Sequence, residues 1–218
     1  MSNNGLVIPV FLSHSKEDKK IGGLFKKKLA PFGVDVFLAH EDIEGGIDWK
    51  TKLYSEIKNC EIFIVLLSDN YHKANFTDQE LGMGLAYEKN VIPVSIDGTM
   101  PYGFMEKYQC MKCESEIDDA NIEKLLGLIM HFSDTGKQFL DLLIEKLSKA
   151  NSFDDATFWA RKLLSYSKFT DNQINNIAKA FIQNNQIHGS FMAAPNVLYI
   201  LRNNQKQINS DLKKKIHF

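Results

Sequence analysis

The sequence of 218 residues has few cysteines, no long apolar run and no excess charge of either sign. Three cysteines are too few for the disulfide framework of a small secreted protein, which indicates a reducing compartment. No segment reaches the roughly 20 apolar residues of a membrane-spanning helix, and the first residues lack the basic start of a secretory signal. With 26 Lys and Arg against 27 Asp and Glu, the chain has no basic surface for nucleic acid or anionic membranes. We therefore expect a soluble cytoplasmic protein that binds neither nucleic acid nor membranes.

Several motifs of nucleotide-binding and hydrolytic enzymes are also missing. No G-x-x-x-x-G-K-[ST] phosphate loop and no G-x-S-x-G elbow occur, and Gly82-x-Gly84 lies inside a predicted helix. Cys110-x-x-Cys113 has the spacing of a redox or zinc site but lacks a second pair, and the histidines are scattered. These absences argue against a Rossmann dehydrogenase, a P-loop NTPase and a serine hydrolase. We expect neither a bound metal nor a resident cofactor.

Four short apolar runs, rich in β-branched residues or phenylalanine, recur along the first part of the chain. They span residues 7–12, 34–38, 62–67 and 91–96, and amphipathic helical patterns separate them. Continuous apolar runs are typical of parallel strands that are buried on both faces. With a fifth short strand near residues 108–112 and a helix over 118–131, they predict an α/β fold with a doubly wound, parallel, five-stranded sheet.

The pattern changes at residue 133, after which apolar residues recur only at helical spacing. Helices are predicted over 153–165, 171–184 and 196–205, and Thr170-x-x-Gln173 has the form of a capping box. We therefore expect two domains, residues 1–132 and 133–218, of which the second is a small all-helical appendage. That appendage could pack on the first domain, form an oligomer interface, or bind a partner protein.

Polar residues follow each of the four apolar runs. In open parallel sheets, ligands bind where the loops converge at the carboxyl ends of the strands. The sequences at these positions are Ser13-His14-Ser15, Ala39-His40-Glu41-Asp42, Ser68-Asp69-Asn70-Tyr71 and Asp97-Gly98. The sequence therefore predicts a polar cleft along one edge of the sheet.

Three segments resemble motifs of the TIR (Toll/interleukin-1 receptor) domain family. Val10-Phe11-Leu12-Ser13-His14-Ser15 resembles box 1, and residues 37–46 followed by Trp49 resemble the second strand, its BB loop and the next helix. Residues 62–68 with Tyr71, Phe76 and Glu80-Leu81 resemble the third strand and the segment S-x-x-Y-x(n)-W-x-x-x-E-L, with Phe76 in place of Trp. The resemblance covers residues 5–132 and is to TIR proteins of the prokaryotic type.

The resemblance implies a flavodoxin-like fold and, as in many members, cleavage of NAD at the nicotinamide–ribose bond, with NAD as substrate. Glu80 is then the catalytic carboxylate, which contacts the ribose hydroxyls as nicotinamide leaves. Phe76 would stack on a ring of the substrate, and Ser13 and His14 would line the floor of the cleft. Asp42 in the BB loop would help to complete the site or contact a neighbouring protomer.

The same residues have structural interpretations that the sequence leaves open. Thr77-Asp78-Gln79-Glu80 has the form of a capping box, with Thr77 at the N-cap and Glu80 at position N3. Trp49 suits core packing as well as contact with the substrate, and Tyr71 suits stabilisation of its loop as well as substrate binding. His14 also suits a purely structural polar position at a strand end.

Three functions remain open at this point. The first is an enzyme, an NAD glycohydrolase or ADP-ribose cyclase, whose implied role is antiviral or stress defence. The second is an interaction module that signals through TIR–TIR contacts without turnover. The third is a sensor that binds an ADP-ribose-like nucleotide without cleaving it. Glu80 favours the enzyme, whereas Phe76 in place of Trp leaves room for the interaction module.

Overall fold

The computed structural model of the protein describes residues 7–38, 49–113 and 117–216. Within these ranges, five strands form one sheet: β1 (Ile8–Ser13), β2 (Val34–Leu38), β3 (Ile62–Leu67), β4 (Asn90–Ser95) and β5 (Met111–Lys112). Their order across the sheet is β2-β1-β3-β4-β5, and all neighbours are parallel. The predicted parallel five-stranded sheet is confirmed, with a fifth strand shorter than the sequence predicts.

Two pairs of helices flank this sheet. The helices are α1 (Lys19–Leu29), α2 (Trp49–Asn59), α3 (Thr77–Ala86) and α4 (Asp119–His131). α1 packs against β2 and α4, whereas α2 and α3 pack against each other and against β1. All six residues of β3 are buried, because side chains on both faces of this central strand are covered. That burial explains the continuous apolar run in the sequence.

A row of phenylalanine rings crosses three strands beneath α2 and α3. Parallel register places Phe11 of β1 directly between Phe37 of β2 and Phe63 of β3. The ring centroids of Phe11 lie 5.7 Å from Phe37 and 5.1 Å from Phe63. α3 approaches this row closely, since a Cβ atom on Gly84 would lie 2.8 Å from the Phe63 ring. The row therefore fixes how far α3 stands above the sheet.

The chain folds into two compact units, Met1–Lys137 and Gln138–Phe218. The predicted division between residues 132 and 133 lies at the first residue of α5 (Ser133–Ser148). The helices that follow are α6 (Phe153–Leu164), α7 (Asp171–Gln183), α8 (Asn185–His188), α9 (Ala193–Asn203) and α10 (Ser210–Lys213). None of the helices in the described part of the chain combines the length and apolar composition of a membrane-spanning segment.

The second unit is helical, as predicted. α6 and α7 each pack against α8 and α9. α7 begins with the capping box that the sequence predicts. The Gln173 N–H donates to Thr170 Oγ1 at 3.3 Å, and the Thr170 N–H donates to Gln173 Oε1 at 2.9 Å. Both residues of the box thus satisfy backbone donors that a helix start leaves without intrahelical partners.

Candidate active site

The carboxyl ends of β1 and β3 lie side by side, because these two strands pair directly in the sheet. Ser13 is the last residue of β1 and Ser68 follows β3, and both side chains are buried. A 3₁₀ turn over Tyr71–Lys73 then leads to α3. Glu80 lies in the first turn of α3 and reaches back to the end of β1. The candidate site is therefore built on two adjacent strand ends and one helix start.

Glu80 is a buried carboxylic acid with one close hydroxyl donor. Only 1% of the residue is exposed, and Ser13 Oγ donates to Glu80 Oε2 at 2.6 Å. Burial raises the pKa of Glu80 from its ordinary value of 4.5 to about 7, and the Ser13 hydrogen bond opposes that rise. A carboxyl that titrates near neutral pH in a pocket is a typical feature of a catalytic acid or base.

Tyr71 extends the hydrogen-bond chain from Ser13 to the backbone of α3. The Tyr71 hydroxyl lies 3.0 Å from Ser13 Oγ and 3.2 Å from the Thr77 carbonyl oxygen. When Glu80 is ionised, Tyr71 donates to Ser13 and Ser13 donates to Glu80. When Glu80 is protonated, the same chain runs in reverse, from Glu80 through Ser13 and Tyr71 to the Thr77 carbonyl. Each arrangement gives every hydroxyl proton an acceptor, so Glu80 can change its protonation state without leaving a buried hydroxyl unsatisfied.

The capping box that the sequence predicts at Thr77 and Glu80 does not form. Phe76 occupies the N-cap position of α3, and its side chain makes no capping hydrogen bond. Thr77 Oγ1 instead donates to the carbonyl oxygens of Tyr71 at 2.8 Å and Ala74 at 3.2 Å. Glu80 turns its carboxylate towards Ser13 rather than back to the helix start. Thr77 thus stabilises the preceding loop, and tertiary partners have replaced the local ones.

A small pocket opens beside Glu80 between the starts of α2 and α3. Its volume is about 70 Å³, and the residues that line it are Trp49, Lys50, Leu53, Tyr54, Phe76, Gln79, Glu80 and Met83. The rings of Trp49 and Phe76 meet edge to face with their centroids 5.2 Å apart. Trp49 is 38% exposed and Phe76 is 39% exposed. Trp49 is therefore a wall of the pocket rather than a core residue, and the pocket offers two aromatic rings to a ligand.

The other predicted site residues take different positions. The described lining of the pocket includes neither Ser13, His14 nor Tyr71, although Ser13 and Tyr71 hold Glu80 through the hydrogen-bond chain. His14 is buried beside α1, with its Nδ1 2.6 Å from the Ser15 carbonyl oxygen, and a Cβ on Gly22 would lie 3.3 Å from its ring. Asp42 lies outside the described residues. Glu80, Trp49 and Phe76 thus line the pocket, whereas Ser13 and Tyr71 belong to the hydrogen-bond chain that holds the Glu80 carboxyl group.

A second polar cluster lies next to Ser13, and its central residue, Asp18, is not among the predicted site residues. It joins Ser15 and Asp18, which follow β1, to Ser68 and Asn70, which follow β3. Asp18 is buried within it. The spacing Ser15-x-x-Asp18 and the polar run after β3 are the signals that point to this cluster. The pairing of β1 with β3 brings these residues side by side at the sheet edge where the sequence predicts a polar cleft.

The cysteines have the character of structural thiols: Cys60 and Cys113 are buried, and Cys110 is partly buried. All three are free, and burial raises the pKa of Cys60 and of Cys113 to about 11. Burial also raises the pKa of Cys110. Thiols of this kind stay protonated at neutral pH and are poor nucleophiles. Within residues 7–38, 49–113 and 117–216, no three His, Cys, Asp or Glu side chains gather in a way that could hold a metal ion.

Comparison with known proteins identifies the first unit. A family model described as "TIR domain" matches residues 10–126. Among solved structures, the chain is similar to the TIR domain of the Toll-related receptor TRR-2 from Hydra magnipapillata, with 20% sequence identity and a TM-score of 0.47. That match covers 60% of this chain and 99% of the Hydra chain. A search of curated proteins found no significant relative. The family model spans more than half of the sequence, and the chain therefore belongs to the TIR domain family.

Proposed function

We propose that this TIR protein is an enzyme that cleaves NAD at the nicotinamide–ribose bond, as an NAD glycohydrolase or an ADP-ribose cyclase. The observation that carries the proposal is Glu80, a buried carboxylate held by Ser13 at 2.6 Å in the wall of a pocket with two aromatic rings. This combination suits a sugar that develops positive charge next to an aromatic leaving group.

In the proposed reaction, the bond between ribose C1′ and the nicotinamide nitrogen breaks heterolytically. Nicotinamide keeps the electron pair and leaves as a neutral molecule, and the ribose becomes oxocarbenium-like. The Glu80 carboxylate accepts hydrogen bonds from the ribose hydroxyls, and its negative charge stabilises the positive charge on the sugar. Attack of water at C1′ releases a proton and gives ADP-ribose, whereas attack by a nitrogen of the substrate's own adenine gives a cyclic product.

The protonation state of Glu80 should control this reaction. Only the ionised carboxylate stabilises the developing positive charge, and the pKa of Glu80 is about 7. Turnover should therefore rise as the pH increases through about 7 and level off above it. The hydrogen-bond chain through Ser13 and Tyr71 allows this change, because it accommodates both forms of the carboxyl group.

Trp49 and Phe76 form the aromatic part of the proposed substrate site. The pocket volume of about 70 Å³ is well below the roughly 300 Å³ or more of typical small-molecule sites. We therefore expect the two rings to separate when the substrate enters. Both rings are partly exposed and lie at helix starts, which leaves them space to move.

We also propose that the protein self-associates through TIR–TIR contacts and that it acts in the cytoplasm in antiviral or stress defence.

Replacement of Glu80 by Gln tests the proposal. The amide has the same shape, accepts the Ser13 hydrogen bond and carries no charge, so the fold should persist. We expect NAD consumption to fall about 1000-fold or more, because charge stabilisation is lost. Glu106→Gln, which removes an exposed carboxylate, is the control and should keep wild-type turnover. NAD loss and the linear or cyclic products are resolved chromatographically over a series of protein concentrations, because self-association is part of the proposal.

A non-catalytic interaction module is the second candidate, and the small volume of the pocket favours it. If the wild-type protein self-associates but consumes no NAD at any concentration, the interaction module is the better description. If it binds ADP-ribose in calorimetry without consuming NAD, the chain is a nucleotide sensor. Wild-type turnover in Glu80→Gln would contradict the catalytic role of Glu80 directly.

A further inference from the structure

Asp18 is a buried carboxylate that makes no direct contact with the proposed catalytic group. It ends a 3₁₀ turn, Lys16–Asp18, that follows β1, and only 7% of the residue is exposed. Ser15 Oγ donates to Asp18 Oδ2 at 2.6 Å, and the Asp18 N–H donates back to Ser15 Oγ at 3.2 Å. These two bonds are local, and they fix the carboxylate relative to the end of β1.

A third bond reaches across the sheet edge to the connection between β3 and α3. Ser68 Oγ donates to Asp18 Oδ2 at 2.5 Å, although the two residues are 50 positions apart in the sequence. Asn70 Nδ2 makes a longer contact of 3.5 Å with Asp18 Oδ1. Hydrogen bonds from hydroxyls to a buried charged acceptor are stronger than those between neutral groups. Asp18 therefore ties the loop after β1 to the loop after β3.

The Ser68 hydroxyl connects Asp18 to the residues that hold Glu80. While it donates to Asp18, it accepts the Tyr71 N–H at 3.1 Å, which fixes the start of the Tyr71–Lys73 turn. The Tyr71 hydroxyl lies 3.0 Å from Ser13 Oγ, and Ser13 holds Glu80. One buried series of contacts thus runs from one carboxylate to the other.

We propose that Asp18 is a positioning residue for Glu80: through Ser68 and Tyr71 it holds the Ser13 hydroxyl in place against the Glu80 carboxyl group. Asp18 touches no substrate in this scheme and acts through the spacing of the two loops. The kinetic part of the inference rests on the proposed function. The part that concerns the environment of Glu80 does not, because it describes the protein without substrate.

Two substitutions separate the geometry of Asp18 from its charge. Asp18→Asn removes the charge but keeps an oxygen that can accept from both Ser15 and Ser68. Asp18→Ala removes the charge and the acceptor together. Asp118→Ala is the matched control, because Asp118 caps α4 in the same unit by accepting the Asn121 N–H at 2.7 Å. It makes the same chemical change and destabilises a helix away from the hydrogen-bond chain.

The first measurement is the pKa of Glu80, read from the ¹³C carboxyl resonance that disappears in Glu80→Gln. In Asp18→Ala the loops separate and water reaches the carboxyl group, so its pKa should fall from about 7 towards the ordinary value of 4.5. Asp18→Asn and Asp118→Ala should keep the wild-type pKa of Glu80.

The second measurement is NAD turnover. In Asp18→Ala, kcat should fall about 100-fold with KM unchanged, because Glu80 is misplaced. Asp18→Asn should restore most of this loss.

An unchanged pKa of Glu80 and an unchanged kcat in Asp18→Ala would overturn the proposal. Equal effects of Asn and Ala would also overturn it, because the charge rather than the geometry would then act on Glu80. If the wild-type protein consumes no NAD, the proposed function fails and the pKa alone decides the role of Asp18. If Asp18→Ala does not fold, Ser68→Ala replaces it, since Ser68 is the link between Asp18 and Tyr71, and the same fall in pKa is expected.

Discussion

Glu80→Gln is expected to stabilise the folded protein increasingly as the pH rises from 5 to 8. In the folded protein the pKa of Glu80 is about 7, whereas its ordinary value is 4.5. A carboxyl group with a raised pKa binds its proton more tightly in the folded than in the unfolded state. Its contribution to stability is therefore complete at low pH and is lost as the pH rises from about 4.5 to about 7. The amide of Gln does not titrate, so the variant escapes this loss.

The size of the effect follows from the two pKa values. A tenfold change in an equilibrium constant is about 1.4 kcal/mol, so ionised Glu80 costs the folded state about 3 kcal/mol above pH 7. About 1 kcal/mol of this cost is already present at pH 5, because the unfolded carboxyl is mostly ionised there. The difference in free energy of unfolding between Glu80→Gln and the wild type should thus grow by about 2 kcal/mol between pH 5 and pH 8.

Urea unfolding at a series of pH values measures this difference. Other titrating groups affect both proteins equally and cancel in the comparison. Glu106→Gln removes an exposed carboxylate and should give a difference that does not vary with pH. A Glu80→Gln difference that stays flat within about 0.5 kcal/mol would show that Glu80 is not a buried acid, and the argument for its raised pKa would be wrong.

Two further substitution pairs test the packing and the start of α3. Gly84→Ala should lower the free energy of unfolding, measured with urea, by about 2 kcal/mol, because its Cβ would lie 2.8 Å from the buried Phe63 ring. Among the described residues, a Cβ on Gly82 in the same helix would meet no atom within 4 Å beyond its chain neighbours and the local helix backbone, so Gly82→Ala should raise the free energy of unfolding by up to about 1 kcal/mol. If both glycine substitutions changed the free energy of unfolding in the same direction, the close approach of α3 to Phe63 would be contradicted. Thr77→Asp should lower the free energy of unfolding by about 2 kcal/mol, because the Thr77 hydroxyl donates to two carbonyl oxygens and a carboxylate has no proton to donate. Thr170 is the N-cap of α7, where Asp can also cap, so Thr170→Asp should unfold at nearly the wild-type temperature. If Thr77→Asp and Thr170→Asp destabilised the protein equally little, Thr77 would also be a helix cap.

The sheet could be predicted from the sequence because burial on both faces leaves a local signal. Residues 34–38 and 62–67 are predicted as strands, and β2 and β3 have those bounds. The fifth strand is less well predicted, since β5 pairs only through Met111 and Lys112 at the edge of the sheet. A short edge strand has little apolar pattern to distinguish it from a loop.

The helix that carries Glu80 was likewise predictable, but its first turn was not. Thr77 and Glu80 have the spacing of a capping box, as Thr170 and Gln173 do, yet only the second pair forms one. The difference is that Ser13 and the loop carbonyl oxygens lie within reach of the first pair. The spacing of residues along the chain does not reveal such partners, because they come from distant parts of the sequence.

By itself, the sequence determined the alternation of strands and helices, the family motifs and the position of Glu80 in the first turn of α3. Only the tertiary structure decided what surrounds that carboxyl group. Ser13 is 67 positions away from Glu80, and Asp18 is 50 positions away from Ser68. The pairing of β1 with β3 brings these side chains together and removes them from water. Desolvation then raises the pKa of Glu80, because a low-dielectric environment disfavours the charged form.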